Sequence, residues 1–263
     1  YTGSSNLSLA LFGKIPRGPY SINFRGVSGG TTADSGTITA FTQADGATRC
    51  TITNATKSWT VDQFRGYFVT VGGIHRVVQS NTANTLTIVG SISGLAVGAS
   101  YTIWTPSTIW DGETARNYAT FTSGQQAIKF DYIEFRNHVS NGICVNNTSN
   151  VVISTCRFIA SPTATASGAG AVLSEYYASV YISASYFEIR TSGVYGIRAG
   201  TPSIVFASYC YLYGNAGTKV GYGISTLGGY VGFSQGSVAE NFYTAIYIFQ
   251  ADTLSLYSPT TTG

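Results

Sequence analysis

The chain has 263 residues, and its 14 Lys and Arg against 11 Asp and Glu leave a formal net charge of +3. That excess is too small, and too scattered among the aromatics, to point to nucleic acid. Only 10% of residues are charged, while Gly numbers 31 and Tyr 19, which favours strands and turns over solvated helices; without an apolar run of about 18 residues, membrane insertion is not expected.

Residues 1–30 are punctuated by glycine and proline, as in Gly13-Lys14-Ile15-Pro16-Arg17-Gly18-Pro19. They read as an extended lead-in that drapes over another surface. Methionine is absent, and Tyr1-Thr2-Gly3-Ser4 lacks the basic start of a signal peptide. Both features suggest a chain cleaved or excerpted from a longer one.

Residues 31–106 carry strand signals at Thr37 to Phe41, Cys50 to Thr53, Tyr67 to Val71, Arg76 to Gln79, Thr85 to Val89 and Tyr101 to Trp104. Turn residues such as Asp45-Gly46, Gly72-Gly73 and Ser80-Asn81-Thr82 separate them, so a small antiparallel β-domain is expected. Trp59 to Gly66 suggests one helical turn, with Trp59 and Phe64 plugging that domain's core.

Residues 107–263 read as the next domain, and from about residue 128 to the end a pattern repeats roughly every 25 residues, the signature of a stacked solenoid. One column comprises Ile128/Phe130, Val151/Ile153, Val180/Ile182, Ile204/Phe206, Val231/Phe233 and Leu254/Leu256, with first members 23, 29, 24, 27 and 23 positions apart. A second column precedes it at Ile143, Val172, Ile197, Ile224 and Ile246. Small residues come just before four of these, at Gly142, Gly196, Gly223 and Ala245. A third column follows at Ile133/Phe135, Cys156/Phe158, Phe187/Ile189 and Cys210/Leu212, weakening at Val238. Alternation along each strand gives an inward and an outward face. The expectation is an all-β chain: a right-handed parallel β-helix of about six coils after a small antiparallel β-domain. Asn137, Asn215 and Asn241, each ending a third strand, suggest an internal asparagine ladder. The last column reaches almost to Gly263, which implies further chain, a partner subunit or a neighbouring protein over that edge.

Within the β-domain, Trp59, Gly66-Tyr67-Phe68-Val69, Arg76-Val77-Val78, Ser80-Asn81-Thr82, Thr85-Leu86-Thr87 and Tyr101-Thr102-Ile103 resemble a small β-module. That module is found beside parallel β-helices in bacteriophage tail spikes and related virion proteins. With the coils, the resemblance covers roughly 31–263. It implies an extracellular virion appendage, a homotrimer that attaches to host-surface polysaccharide and in some relatives cleaves it. It also implies that the lead-in joins other virion proteins.

Glycoside cleavage calls for two carboxylates about 5 to 9.5 Å apart. Asp131 and Glu134 flank one coil corner, Asp111 and Glu113 sit just before it, and Glu175, Glu188 and Glu240 occupy later coils. Neighbouring arginines, such as Arg136, Arg157 and Arg190, make surface ion pairing the simpler role. No catalytic residue is therefore assigned, with Asp131, Glu134, Glu175 and Glu188 kept as candidates for a polysaccharide depolymerase. His138 reads as a turn or surface residue. With two histidines and no Cys/His spacing, neither a metal nor a cofactor is expected. Cys144, Cys156 and Cys210 fall within strand columns and read as small buried thiols filling the stack, with Cys156 and Cys210 two coils, about 10 Å, apart and so beyond bridging distance; Cys50 stands alone in the first domain.

Tyrosine combines an apolar ring with a hydroxyl, which suits both sugar faces and protein interfaces. Tyr177, Tyr181, Tyr186, Tyr211 and Tyr230 are the candidates for such contacts. The stretch Ser161 to Gly170 reads as a flexible turn, and the Asn-x-Ser/Thr sequons at Asn6, Asn54, Asn146 and Asn147 matter only in a eukaryotic secretory route. Attachment is the leading expectation. Depolymerisation and a self-assembling extracellular filament are the alternatives.

Overall fold

The computed structural model describes residues 21–43, 49–115, 118–122, 127–147, 149–160, 169–214, 221–234, 236–249, 253–257 and 260–262. Three parallel sheets make a β-solenoid, and a fourth, antiparallel sheet forms a module beside it. No helix occurs among the described residues.

The first sheet stacks Ser21–Arg25, Ala127–Asp131, Asn150–Ser154, Ser179–Ser183, Ile204–Ser208, Tyr230–Ser234 and Thr253–Tyr257. The second stacks Tyr118–Thr122, Asn141–Val145, Gly170–Ser174, Tyr195–Gly200, Tyr222–Leu227 and Thr244–Phe249. Thr108–Asp111, Ile133–Arg136, Arg157–Ile159, Tyr186–Ile189, Tyr211–Gly214, Val238–Glu240 and Thr260–Thr262 make the third.

Burial of like residues in register holds the stack. Ile143, Val172, Ile197, Ile224 and Ile246 pair in succession down the second sheet, as the repeat predicts. On the third sheet Phe135 stacks on Phe158 at 5.0 Å and Phe158 on Phe187 at 4.7 Å, the latter pair parallel. Ring stacking of this kind adds to area burial. The small residues beside the second column have a steric cause. A Cβ on Gly196 would lie 2.7 Å from the Gly223 carbonyl oxygen, and one on Gly142 2.7 Å from that of Ala171.

Three parts of the repeat differ from the sequence reading. In the fourth unit Val205 and Ala207 align with Val180 and Ile182, so Ile204 and Phe206 face outward. A one-residue slip exchanges the faces of a strand, and this strand is apolar on both. On the third sheet the inward line is Phe135, Phe158, Phe187, Leu212 and Ala239; Val238 aligns instead with the outward Tyr211. The asparagines form no continuous ladder. Asn137 and Asn241 sit at left-handed corners (φ 57° and 61°), but Ala160 (φ 47°) turns the corner of the coil after Asn137, and Asn215 lies outside the described residues.

The corner from the first to the third sheet recurs almost unchanged. Tyr132, Thr155, Ala184 and Tyr209 each adopt φ between 44° and 58°, and a thiol or hydroxyl follows at Cys156, Ser185, Cys210 and, in the next coil, Ser237. Ser185 Oγ accepts from the Cys156 amide at 3.2 Å and Ser237 Oγ from that of Cys210 at 3.1 Å. In the first coil this same corner is interrupted by the module. Ser21–Arg25, inside the stretch read as lead-in, pairs with Ala127–Asp131; the chain leaves at Gly26, whose amide bonds the Asp131 carbonyl, and rejoins the solenoid at Thr108–Asp111.

The module's seven strands run, in spatial order, Thr31–Thr37, Ser100–Thr105, Phe68–Val71, Ile74–Asn81, Thr85–Val89, Arg49–Thr53 and Ala40–Gln43. Trp59 and Phe64 are in its core with Cys50, Ile52, Val69, Leu86, Ile88 and Ile103. The segment around them is a run of tight turns rather than a helical turn. Asp62 is left-handed (φ 60°), and the Asn81 carboxamide ties the segment down by accepting from the Phe64 amide at 2.8 Å and donating to Thr60 O at 2.7 Å.

The module lies against the outer face of the third sheet. Phe68, Val77, Val89 and Trp104 pack with Tyr186, Tyr211, Tyr213 and Val238. Arg65 donates to the Tyr213 hydroxyl at 2.7 Å, Arg76 lies 3.8 Å from the Tyr209 ring centroid, and Gln79 donates to Glu240 at 2.9 Å. The Tyr211 hydroxyl donates to the same carboxylate. Gly66 is where the module comes closest: its positive φ (74°) and the ring of Tyr186 beside it leave no space for a side chain.

Candidate binding face on the first sheet

Three of the four carboxylates considered for catalysis are each paired with a cation. Asp131 ends a first-sheet strand and pairs with Lys129 at 2.9 Å. Glu134 is almost fully buried on the third sheet and binds Arg157 at 2.7 Å. Glu188, on the same sheet, holds Arg190 at 2.6 Å. Registers place Glu134 and Glu188 two strands and two residues apart, about 12 Å between Cα atoms. Glu175 follows the second-sheet strand Gly170–Ser174 and is half-buried. Asp111 bonds Arg136 at 2.6 Å; burial raises its pKa, but the Glu113 amide and Arg136 outweigh that and hold it below the usual carboxylate range.

His138 is fully buried rather than at the surface. The four thiols are free and buried; burial raises Cys50 to about 11 and Cys144, Cys156 and Cys210 to about 12. Among the described residues no group of three or more His, Cys, Asp and Glu is placed to hold a metal. The Asn54 sequon side chain is buried and donates to Tyr101 at 3.0 Å.

The five candidate tyrosines divide. Tyr186 and Tyr211 are at most 1% exposed beneath the module, so neither meets an outside ligand and the aromatic contact there is intramolecular. Tyr177 is 71% exposed at the corner leading into the first sheet. Tyr181 and Tyr230 stand on that sheet's outer face, and the strand slip puts Phe206 between them.

This face is the part of the solenoid where large apolar side chains concentrate in solvent: Val152 is 37% exposed, Tyr181 48%, Ile204 40% and Phe206 38%. Val152, Tyr181 and Phe206 succeed one another in register on adjacent coils. The Tyr181 and Phe206 rings stack at 5.4 Å, tilted by only 16°, and Tyr230 continues the line at 5.4 Å from Phe206. Gly232 completes it from below, since a Cβ there would come within 2.6 Å of the Phe206 ring. Beside the rings run Ser154, Ser183, Ser208 and Ser234, paired in register, with Ser183 bonded to Ser154 at 3.3 Å. The face is thus an apolar track edged by hydroxyls. Sequence reasoning missed Phe206, Ile204, Val152 and Gly232. The signal that finds them is the serine after each last inward residue, in Ile153-Ser154, Ile182-Ser183, Ala207-Ser208 and Phe233-Ser234, which fixes the frame of the ambiguous strand.

Neither a scan against protein-family models nor a search of curated proteins finds a match to the chain.

Proposed function

We propose that this chain is the attachment part of an extracellular, virion-type appendage, a homotrimeric spike or fibre that holds host-surface polysaccharide on the outer face of its first sheet. The supporting observation is the track of Tyr181, Phe206 and Tyr230. Contiguous exposed apolar surface of this kind marks an interaction site, and rings beside hydroxyls suit the mixed apolar and polar faces of sugars. The solenoid supplies rigidity, because each coil is fixed to its neighbours along three sheets. The part of the lead-in that precedes the strand Ser21–Arg25 is assigned to joining other virion proteins.

The test is adsorption of fluorescently labelled protein to a panel of bacterial cells, with native mass measured by light scattering. A trimer that adsorbs to a subset of strains, and loses about tenfold in apparent affinity on Tyr181→Ala, about 1.4 kcal/mol, supports the assignment. A monomer that adsorbs to none of the strains refutes it.

A further inference from the structure

From the same face, and resting on the attachment reading, we infer that the ligand is an uncharged, extended polysaccharide laid along the solenoid axis over Tyr181, Phe206 and Tyr230. Three observations carry this. First, the strands Asn150–Ser154, Ser179–Ser183, Ile204–Ser208 and Tyr230–Ser234 contain no Asp, Glu, Lys or Arg; the charges nearest along the sheet, Lys129 and Asp131, already neutralise each other at 2.9 Å. An acidic polymer would find no cation on these strands, and transferring its charges to an apolar strip without a counter-ion is unfavourable.

Second, the rings follow one another from coil to coil at 5.4 Å, so apolar contacts repeat along the axis and not across it. The stacked Tyr181 and Phe206 rings turn toward each other, so a chain of sugars running that way lies across their exposed edges with its hydroxyls beside the serine row. Third, area decides against a second copy of this chain as the occupant. Four side chains exposed by 37–48% offer a few hundred Å², the usual size of a functional patch on a monomer. A stable protein interface takes about 800 Å² from each partner.

Phe206 is the central contact, and Gly232 positions it by leaving space beneath its ring. The experiment is affinity electrophoresis of the whole chain through gels containing hydroxyethylcellulose, galactomannan or dextran, against gels containing hyaluronan, alginate or polysialic acid. It is run with wild type, Phe206→Ala, Tyr181→Ala and, as a control on a distant exposed ring, Tyr243→Ala. Circular dichroism melts establish that each variant is folded.

The expected result is retardation in at least one neutral gel and in none of the acidic ones, unchanged between about 0.05 and 0.5 M salt, where charge interactions are screened away. Retardation falls at least tenfold in Phe206→Ala and Tyr181→Ala and persists in Tyr243→Ala. Retardation confined to acidic gels, or lost with salt, overturns the uncharged ligand and leaves attachment standing. Neutral-gel retardation that survives Phe206→Ala and Tyr181→Ala overturns the site. No retardation in any gel overturns the inference, and if cells are not adsorbed either, the attachment reading falls with it. An oligomer that dissociates in Phe206→Ala, seen by light scattering, makes a second copy the occupant.

Discussion

His75 carries a pH-dependent contribution to stability. Trp104 Nε1 donates to Thr70 Oγ1 at 2.7 Å, and the same hydroxyl shares a hydrogen bond with His75 Nδ1, also at 2.7 Å. Burial, then the adjacent Arg76, hold the ring's pKa below the ordinary value of 6.5, which favours the neutral imidazole. The groups facing it are the Trp104 and Tyr132 rings. With the folded-state value depressed, the unfolded chain binds the extra proton just below pH 6.5, so stability falls as pH drops through that window. Thermal melts from pH 7.5 to 5 are expected to show a declining Tm that flattens in His75→Gln; a Tm equally pH-dependent in the variant contradicts this. The thiols give a second prediction. With pKa values raised to about 11 or 12, and only the thiolate reactive, none of the four is expected to react with an aromatic disulfide reagent at pH 8 in the native protein. All four should react in denaturant. The burial of Cys144, Cys156 and Cys210 was legible from the repeat, whereas that of Cys50, His138 and His75 was not. A histidine's surroundings depend on which strands meet, and sequence does not show that.

At the scale of the element, the glycines beside the second column and the tyrosines beneath the module carry the clearest consequences. Gly196→Ala brings a methyl against the Gly223 carbonyl and is expected to cost about 1–3 kcal/mol as overpacking; urea titration measures it, and an unchanged midpoint contradicts the close packing. Tyr211→Ala removes a fully buried ring from the contact with the module and leaves Glu240 without that donor. A loss of about 3–5 kcal/mol is expected. Differential scanning calorimetry should then show the module and solenoid melting separately, where the wild type melts once. The repeat was readable because burial on one side enforces alternation, and it failed where Ile204 to Ala207 is apolar on both sides. The strand Thr31–Thr37 was unreadable for the opposite reason, since TTADSGT offers no large apolar residue.

For the whole molecule, the arrangement of faces follows from one insertion. The module leaves the first coil at the corner after Gly26 and folds back over the third sheet, covering Tyr186 and Tyr211 and leaving Tyr181, Phe206 and Tyr230 on the first sheet in solvent. Sequence placed tyrosines on the solenoid but could not sort them, because a tyrosine under a docked module and one in solvent have the same local pattern. The first-sheet site is tested most directly by hydroxyl-radical footprinting of the chain with and without cells to which it adsorbs. Oxidation of Tyr181, Phe206 and Tyr230 is expected to fall on binding while that of Tyr243 stays unchanged. Protection of Tyr243 or of the module's exposed Val61, with the first sheet still fully oxidised, would contradict it.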